Sequence, residues 1–185
     1  MTRIARLSKT DIKIQTVAAL LAVIAAVALP QAMHLLGIAS GLGTALGETF
    51  LPMHLPIILT GLIAGPFAGA IAGAASPAIS FLLTGMPSAV MLPFMVIELF
   101  SYGLFAGLLR DSKMPCAAKV LSVQVLGRIV RAAAILIAVY GFSYEGLATK
   151  VIYASILTGL PGLILQWCLI PLIIFWVNNY SKNEK

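Results

Sequence analysis

The stretch that decides the fold is LPMHLPIILTGLIAGPFAGAIAGAASP, from Leu51 to Pro77. It is apolar enough for a membrane interior, yet prolines interrupt it and a glycine recurs at every fourth position from Gly61 to Gly73. Proline suits the first turn of a helix, so we predict one helix that begins near Pro52 and another that begins at Pro66. Short apolar helices of this kind occur where the backbone of a membrane protein lines a cavity inside the protein.

The composition of the whole chain is that of a membrane protein. Of its 185 residues, 61% are hydrophobic and only 10% are charged, whereas about 25% of the residues in a soluble domain are charged. Apolar runs of roughly 20 residues, each long enough to cross a bilayer, follow one another along the chain. We therefore predict an all-α polytopic membrane protein with a single transmembrane domain over residues 1–185 and no soluble catalytic module.

We predict six transmembrane helices in a compact bundle. The first covers about residues 11–36, and a polar, glycine-rich loop over 37–50 follows it. The second begins near Pro52, and the third begins at Pro66 and is expected to bend or end near Pro77. The last three helices cover about residues 89–109, 117–141 and 147–178, with boundaries uncertain by roughly 2–4 residues.

The basic residues indicate how the chain is oriented in the membrane. Nine of the twelve lysines and arginines precede the first helix, flank the turn between the fourth and fifth helices, or end the chain. With six helices these three regions lie on one side, which the positive-inside rule makes cytoplasmic, so both termini are predicted to be cytoplasmic. The net charge of +6 thus reflects topology. We predict no nucleic-acid partner, because no basic face carries interleaved aromatic residues.

Charged side chains inside the predicted spans mark the candidate site. Glu98 lies near the middle of the fourth helix, and Arg128 and Arg131 lie near the middle of the fifth. A charge at the centre of a span costs about 2.5–3.5 kcal/mol, so each should face protein or water and find a partner. In one interpretation, Glu98 pairs with an arginine only to hold two helices together, and Arg128 extends towards the cytoplasm. In the other, two arginines against one carboxylate leave a positive charge for an anionic ligand.

Further polar residues gather at the outer ends of the predicted helices. Gln31 and His34 lie late in the first helix, Glu48 lies in the loop, and His54 opens the second helix. No close pair of histidines supports a zinc site, and the motifs of intramembrane hydrolases are absent. We therefore predict neither a metal site nor catalytic residues.

Small residues recur along the first helix, where Ala18, Ala22 and Ala26 follow one another at intervals of four. Such a face lets helix backbones approach closely in a membrane. The alanines therefore form either a face for packing inside the bundle or a docking face for a separate membrane subunit.

The segment FLPMHLPIILTGLIAGP, followed by SPAISFLLTGMP, resembles the substrate-binding S components of energy-coupling factor (ECF) vitamin transporters. The resemblance covers essentially the whole chain. It extends to the six short helices, the basic N-terminus and the alanines of the first helix. The Pro-Met-His-x-Pro sequence is its most specific part. The resemblance implies a multi-pass protein of the bacterial cell membrane, whose single domain captures a water-soluble vitamin at the outer side.

The resemblance also implies partners. They are a membrane coupling subunit, the T component, and two cytosolic ATPases, with contacts to the T component at Ala18, Ala22 and Ala26. The chain has no Walker A sequence, so ATP would be used by the partners and the chain itself has no cofactor. The ligand pocket is expected beneath the loop after the first helix, which would act as a lid.

The charge count and the resemblance together favour pantothenate, whose carboxylate one of the arginines would hold. The alternatives are vitamin B6 (pyridoxine or pyridoxal) and hydroxymethylpyrimidine, with the arginines fully occupied structurally and Phe94 or Tyr153 stacked on the ring. A more remote alternative is a structural or assembly protein, or a channel, whose buried charges only lock helices together. The predicted ligand-binding residues are Gln31, His34, Glu48, His54, Ser80, Phe94, Glu98, Tyr102, Arg128 and Arg131.

Overall fold

Apolar helices make up almost all of the chain in the computed structural model, which describes residues 12–43, 45–143 and 148–183. The first helix, α1, is the least buried of the long helices. A π-helical turn, Ile137–Gly141, directly follows the helix that ends at Leu136. The helices are α1 (Ile12–Ala39), α2 (Ala45–Phe50), α3 (His54–Ala64), α4 (Pro66–Thr84), α5 (Leu92–Leu109), α6 (Cys116–Leu136) and α7 (Lys150–Asn183).

Six segments of the described chain are long and apolar enough to cross a membrane. The second segment, Ala45–Ala64, consists of the short helix α2 and of α3, with a break between them. The other five are α1, α4, α5, α7 and α6 together with its π-helical turn. The predicted all-α fold with six membrane-spanning helices is therefore confirmed.

Two local predictions differ from the structure. The sequence predicted an irregular loop over residues 37–50, but the second half of this segment forms the helix α2. The third predicted helix does not end at Pro77, because α4 continues through this proline to Thr84. It ends at Gly85, which has a φ of 71° and donates its N–H to the carbonyl of Phe81, a common way for a helix to terminate.

Glycines let α4 pack closely on α5 in the turns that lead to Pro77. They bring its backbone into contact with that of α5. A Cβ on Gly69 would lie 2.5 Å from the carbonyl oxygen of Gly103, and a Cβ on Gly103 would overlap the carbonyl of Gly69. One turn further along, Gly73 packs in the same way on the backbone of Leu99. Packing drives helix association in a membrane, so this tight contact outweighs the helix-breaking tendency of a single proline.

The alanines of α1 face the protein's own core. Ala22 is 5% exposed and Ala26 is completely buried, in a helix that packs on α3 and α4. Neighbouring helices of the same chain thus cover these two residues, which is the packing role that the sequence analysis gave as one of two alternatives. Ala18 lies one turn nearer the N-terminus and is only half-buried.

Replacing Gly103 with alanine should destabilise the protein, because the added methyl group would overlap the carbonyl of Gly69. Overpacking a close-packed interior costs about 1–3 kcal/mol, so we expect a lower midpoint of thermal unfolding in detergent. Gly141→Ala is the matched control, since the nearest atom to its new Cβ would be 3.8 Å away. An unchanged midpoint for Gly103→Ala would show that α4 and α5 are not in backbone contact.

Candidate functional site

A cavity of about 480 Å³ lies at the end of the bundle where α1 ends and α7 begins. The helix α2, the first residues of α3 and α5, and the connection between α4 and α5 complete its wall. This volume falls within the range of roughly 300–1,000 Å³ that small-molecule sites occupy. The cavity lies beneath α2, in the region where the sequence predicts a ligand pocket.

Glu98 is fully buried under this cavity and is shared by two arginines of α6. Its Oε2 atom lies 2.8 Å from Nη1 of Arg131, and its Oε1 atom lies 3.3 Å from Nε of Arg128. The hydroxyl of Tyr102, one turn along α5, donates a hydrogen bond of 3.2 Å to the same Oε1 atom. A buried carboxylate is stable only when charges and donors surround it in this way.

His54 closes the group from the side of α3. It is the first residue of that helix, and its Nε2 atom lies 3.8 Å from Oε1 of Glu98, beyond hydrogen-bond distance. Its ring is tilted by 59° against the ring of Tyr102, with 5.1 Å between the centroids. Within the described ranges neither ring nitrogen of His54 has a hydrogen-bond partner. Since His54 lines the cavity, its imidazole is available to a polar ligand.

The two arginines differ in how completely their nitrogens are used. Arg131 donates through Nη1 to Glu98, and its Nη2 atom lies 3.9 Å from the sulfur of Met91. Arg128 is 9% exposed, and its Nη1 and Nη2 atoms have no hydrogen-bond partner within the part of the chain that the structure describes. Both arginines line the cavity. The end of the Arg128 guanidinium is thus a buried cationic group with unused donors.

A second carboxylate borders the cavity at Glu48 in α2. It is exposed, and among the described residues it forms no ion pair with Arg128 or Arg131, which both pair with Glu98. An exposed charge is largely screened by water, whereas a buried one is not. The buried floor of the cavity therefore carries two positive charges and one negative charge.

Comparison with known protein families identifies the fold around this cavity. A family model described as "ECF transporter, substrate-specific component" matches residues 13–174. The chain belongs to this family. No match was found among curated proteins or among solved structures. The protein is accordingly an integral membrane protein and a substrate-binding component of a transport system rather than an enzyme. Family membership also implies a T component, ATPases and a small-molecule substrate as its partners.

Most of the predicted ligand-binding residues of this S component surround the cavity. Glu98 and Tyr102 lie beneath it and hold the arginines in place. Those that line the cavity are His34, Glu48, His54, Ser80, Arg128 and Arg131.

Two predicted binding residues of the S component do not line the cavity. Gln31 follows the lining residue Pro30, but the helical rotation of one residue turns it to another face of α1. Phe94 is buried against Ile135 in a separate apolar cluster between α5 and α6. Tyr153, the other aromatic residue considered for stacking on a ring, is 61% exposed and does not line the cavity either.

The sequence analysis missed two parts of the wall. Methionines supply one of them, at Met53, Met86, Met91 and Met95, and flexible thioether side chains adapt well to irregular ligands. The other is a polar strip on α7, where Ser155 and Thr158 line the cavity. Residues three apart share a helix face. The Ser-x-x-Thr spacing near the start of the last helix could therefore have predicted a polar strip on one face of that helix.

Replacing Glu98 with glutamine should destabilise the S component, because two buried guanidinium groups would lose their carboxylate. Breaking a buried ion pair costs about 3–5 kcal/mol, which thermal unfolding in detergent would detect. The double variant Glu98→Gln/Arg131→Gln removes one positive charge as well and should recover much of the loss. A Glu98→Gln protein as stable as the native chain would mean that the network contributes little to folding.

Proposed function

We propose that this S component captures an anionic vitamin, for which pantothenate is the best candidate, and delivers it to a T component and ATPases. The observation that carries the proposal is that Arg128 lines the cavity while its two terminal nitrogens have no hydrogen-bond partner among the described residues. A planar guanidinium donates two parallel hydrogen bonds to a carboxylate. A ligand carboxylate at this position would balance the second positive charge.

Arg128 suits this role better than Arg131. Glu98 accepts from a terminal nitrogen of Arg131, but it approaches Arg128 at Nε and leaves both terminal nitrogens of that residue unused. Arg131 therefore acts as the counter-ion of Glu98. Arg128 is held in position by the same carboxylate, and its terminal nitrogens are the donors that we assign to the ligand.

The rest of the cavity suits a flexible hydroxy-amide acid. Ser155 donates its hydroxyl to the carbonyl of Ile152, so its oxygen remains an acceptor, and Thr158 and His54 offer further polar groups. The methionines opposite provide an apolar wall for the methyl groups of pantothenate. A few placed polar groups in an apolar wall are typical of small-molecule sites.

The alternative ligands, a B6 vitamer or hydroxymethylpyrimidine, are aromatic rings that bind well when a protein ring stacks on them. None of the described residues that line the cavity is a phenylalanine, tyrosine or tryptophan, which favours the anionic ligand. The more remote alternative, a structural protein or channel, is disfavoured by membership of a substrate-binding family.

The binding of pantothenate should depend on Arg128. We expect the purified native protein to bind pantothenate much more tightly than pantothenol, its uncharged alcohol analogue, in isothermal titration calorimetry. Truncating one partner of a buried charge pair costs about 2–5 kcal/mol, so Arg128→Gln should weaken pantothenate binding by at least about 30-fold. The same variant should leave the weak binding of pantothenol nearly unchanged.

Two variants of equal charge separate the roles of the two arginines. Glu98→Gln/Arg131→Gln retains only Arg128 and should still bind pantothenate, whereas Glu98→Gln/Arg128→Gln retains only Arg131 and should not. The opposite order would make Arg131 the ligand-binding residue. Tight binding of pyridoxine or pyridoxal without measurable binding of pantothenate would overturn the anionic assignment.

For the T component, we propose a contact on the exposed side of α1 that includes Ala18. A shallow groove of about 360 Å³ there is lined by Lys13, Ile14, Val17, Ala18 and Leu21. Small and aliphatic side chains let a second helix approach closely in a membrane.

Two tryptophan substitutions on α1 should therefore behave differently. Ala18→Trp would fill the groove, so the folded protein should no longer copurify with its coexpressed T component. Ala22→Trp would place a large ring in the core, where Ala22 is already buried, and should lower the midpoint of thermal unfolding. Normal copurification of a folded Ala18→Trp protein would exclude this edge of α1 from the interface.

A further inference from the structure

One face of α7 lies against the short connection between α2 and α3. In the segment GLPGLILQ, the residues Gly159, Gly162 and Gln166 are separated by three and four positions, so they share a helix face. We call these three residues the α7 seat. The chain that rests on them is Thr49–Leu51, the last two residues of α2 and the first residue after it, and we call this segment the connection.

The glycines of the α7 seat allow this contact because they have no side chain. A Cβ on Gly162 would lie 2.5 Å from the carbonyl carbon and oxygen of Phe50. A Cβ on Gly159 would lie 2.8 Å from Cδ1 of Leu51 and 3.1 Å from Nη2 of Arg128. The connection and the unpaired end of Arg128 therefore meet at the same point of α7.

Gln166 supplies a polar bond to the seat. Its amide nitrogen donates a hydrogen bond of 3.0 Å to the carbonyl oxygen of Leu51, 115 residues away in the sequence. The same oxygen accepts the backbone N–H of His54 at 3.1 Å. Leu51 has a φ of 48°, a left-handed conformation that a leucine keeps only where its surroundings enforce it.

Apart from this hydrogen bond, burying the amide of Gln166 costs free energy of folding. Gln166 is 1% exposed, and its Oε1 atom has no hydrogen-bond partner among the described residues. It lies about two turns along α7 from Thr158, the nearest lining residue of that helix, and is not part of the cavity lining. An unsatisfied acceptor in a membrane interior is unfavourable, so fold stability alone does not explain a glutamine here.

We propose that Gln166 is a positioning residue that holds the connection Thr49–Leu51 on α7 and thereby fixes α2 over the cavity and Leu51 beside Arg128. Loss of its hydrogen bond raises the population in which α2 is released from α7. Release opens the cavity for entry and for exit alike, so the association and dissociation rates of a ligand rise together. The kinetic part of this inference rests on the proposed function, whereas the release of α2 does not.

Gln124 offers a matched control. It is also a buried glutamine, and its amide nitrogen donates to a backbone carbonyl of α7, that of Leu163, at 3.1 Å. Its bond is made to Leu163 and not to Thr49–Leu51, and it is not among the residues that line the cavity. Gln166→Met and Gln124→Met therefore remove the same kind of bond from α7, and only the first releases the connection.

Hydrogen exchange on the ligand-free, full-length protein in detergent tests the release directly. One hydrogen bond contributes about 0.5–1.5 kcal/mol, so exchange of the backbone amides of residues 49–51 should rise about threefold to tenfold in Gln166→Met. In Gln124→Met it should rise less than twofold. Equal exchange in the two variants, or no change in either, would overturn the proposal.

Rapid-mixing measurements with pantothenate test the consequence for binding. In Gln166→Met both rates should rise by a similar factor, so that Kd changes less than twofold, whereas a loss of general stability would raise Kd. A rise in dissociation rate alone would overturn the positioning role. If pantothenate does not bind the native protein, the proposed function fails, and the exchange experiment still decides the role of Gln166.

A second variant covers the case in which Gln166→Met does not fold. Gly162→Ala adds a methyl group that would push Phe50 away from α7, so it should raise exchange at residues 49–51 in the same way. Gly141→Ala, whose added Cβ has space, is its control. Unchanged exchange in Gly162→Ala would exclude the α7 seat as the support of α2.

Discussion

A carboxylate without access to water must be neutralised by its neighbours, and this requirement at Glu98 organises the cavity end of the molecule. Because Glu98 is fully buried, α6 must bring Arg128 and Arg131 against α5, and α3 must begin with its histidine beside them. The arginines are thereby held at fixed positions in the cavity floor. The charge pair that secures the helices is thus also the support of the candidate ligand site.

The prolines and glycines between Leu51 and Pro77 serve the same arrangement. Glycines let α4 lie directly on α5, so the middle of the bundle is filled by backbone and small side chains. The break before α3 separates α2 from it and lets the chain turn over the cavity. An interrupted apolar sequence therefore yields a closely packed centre and an open end.

The sequence was sufficient to predict what depends on composition and local pattern. Six spans follow from apolar length, and the pairing of Glu98 with an arginine follows from the cost of burying a charge. It was insufficient for features that depend on helix rotation, such as the burial of Phe94 and Ala22 in two separate apolar clusters. It also could not reveal the bond from Gln166 to Leu51, since nothing local in either segment indicates the other.

The position of Gly159 links the two halves of the site. Leu51 and the terminal nitrogen Nη2 of Arg128 both approach this glycine, so the support of α2 and the candidate anion-binding group share one surface of α7. Any movement of Thr49–Leu51 away from α7 changes the surroundings of the guanidinium, and a carboxylate on Arg128 changes what Leu51 packs against. Under the proposed function, ligand capture and the position of α2 would therefore be coupled through direct contacts, without a long pathway across the bundle.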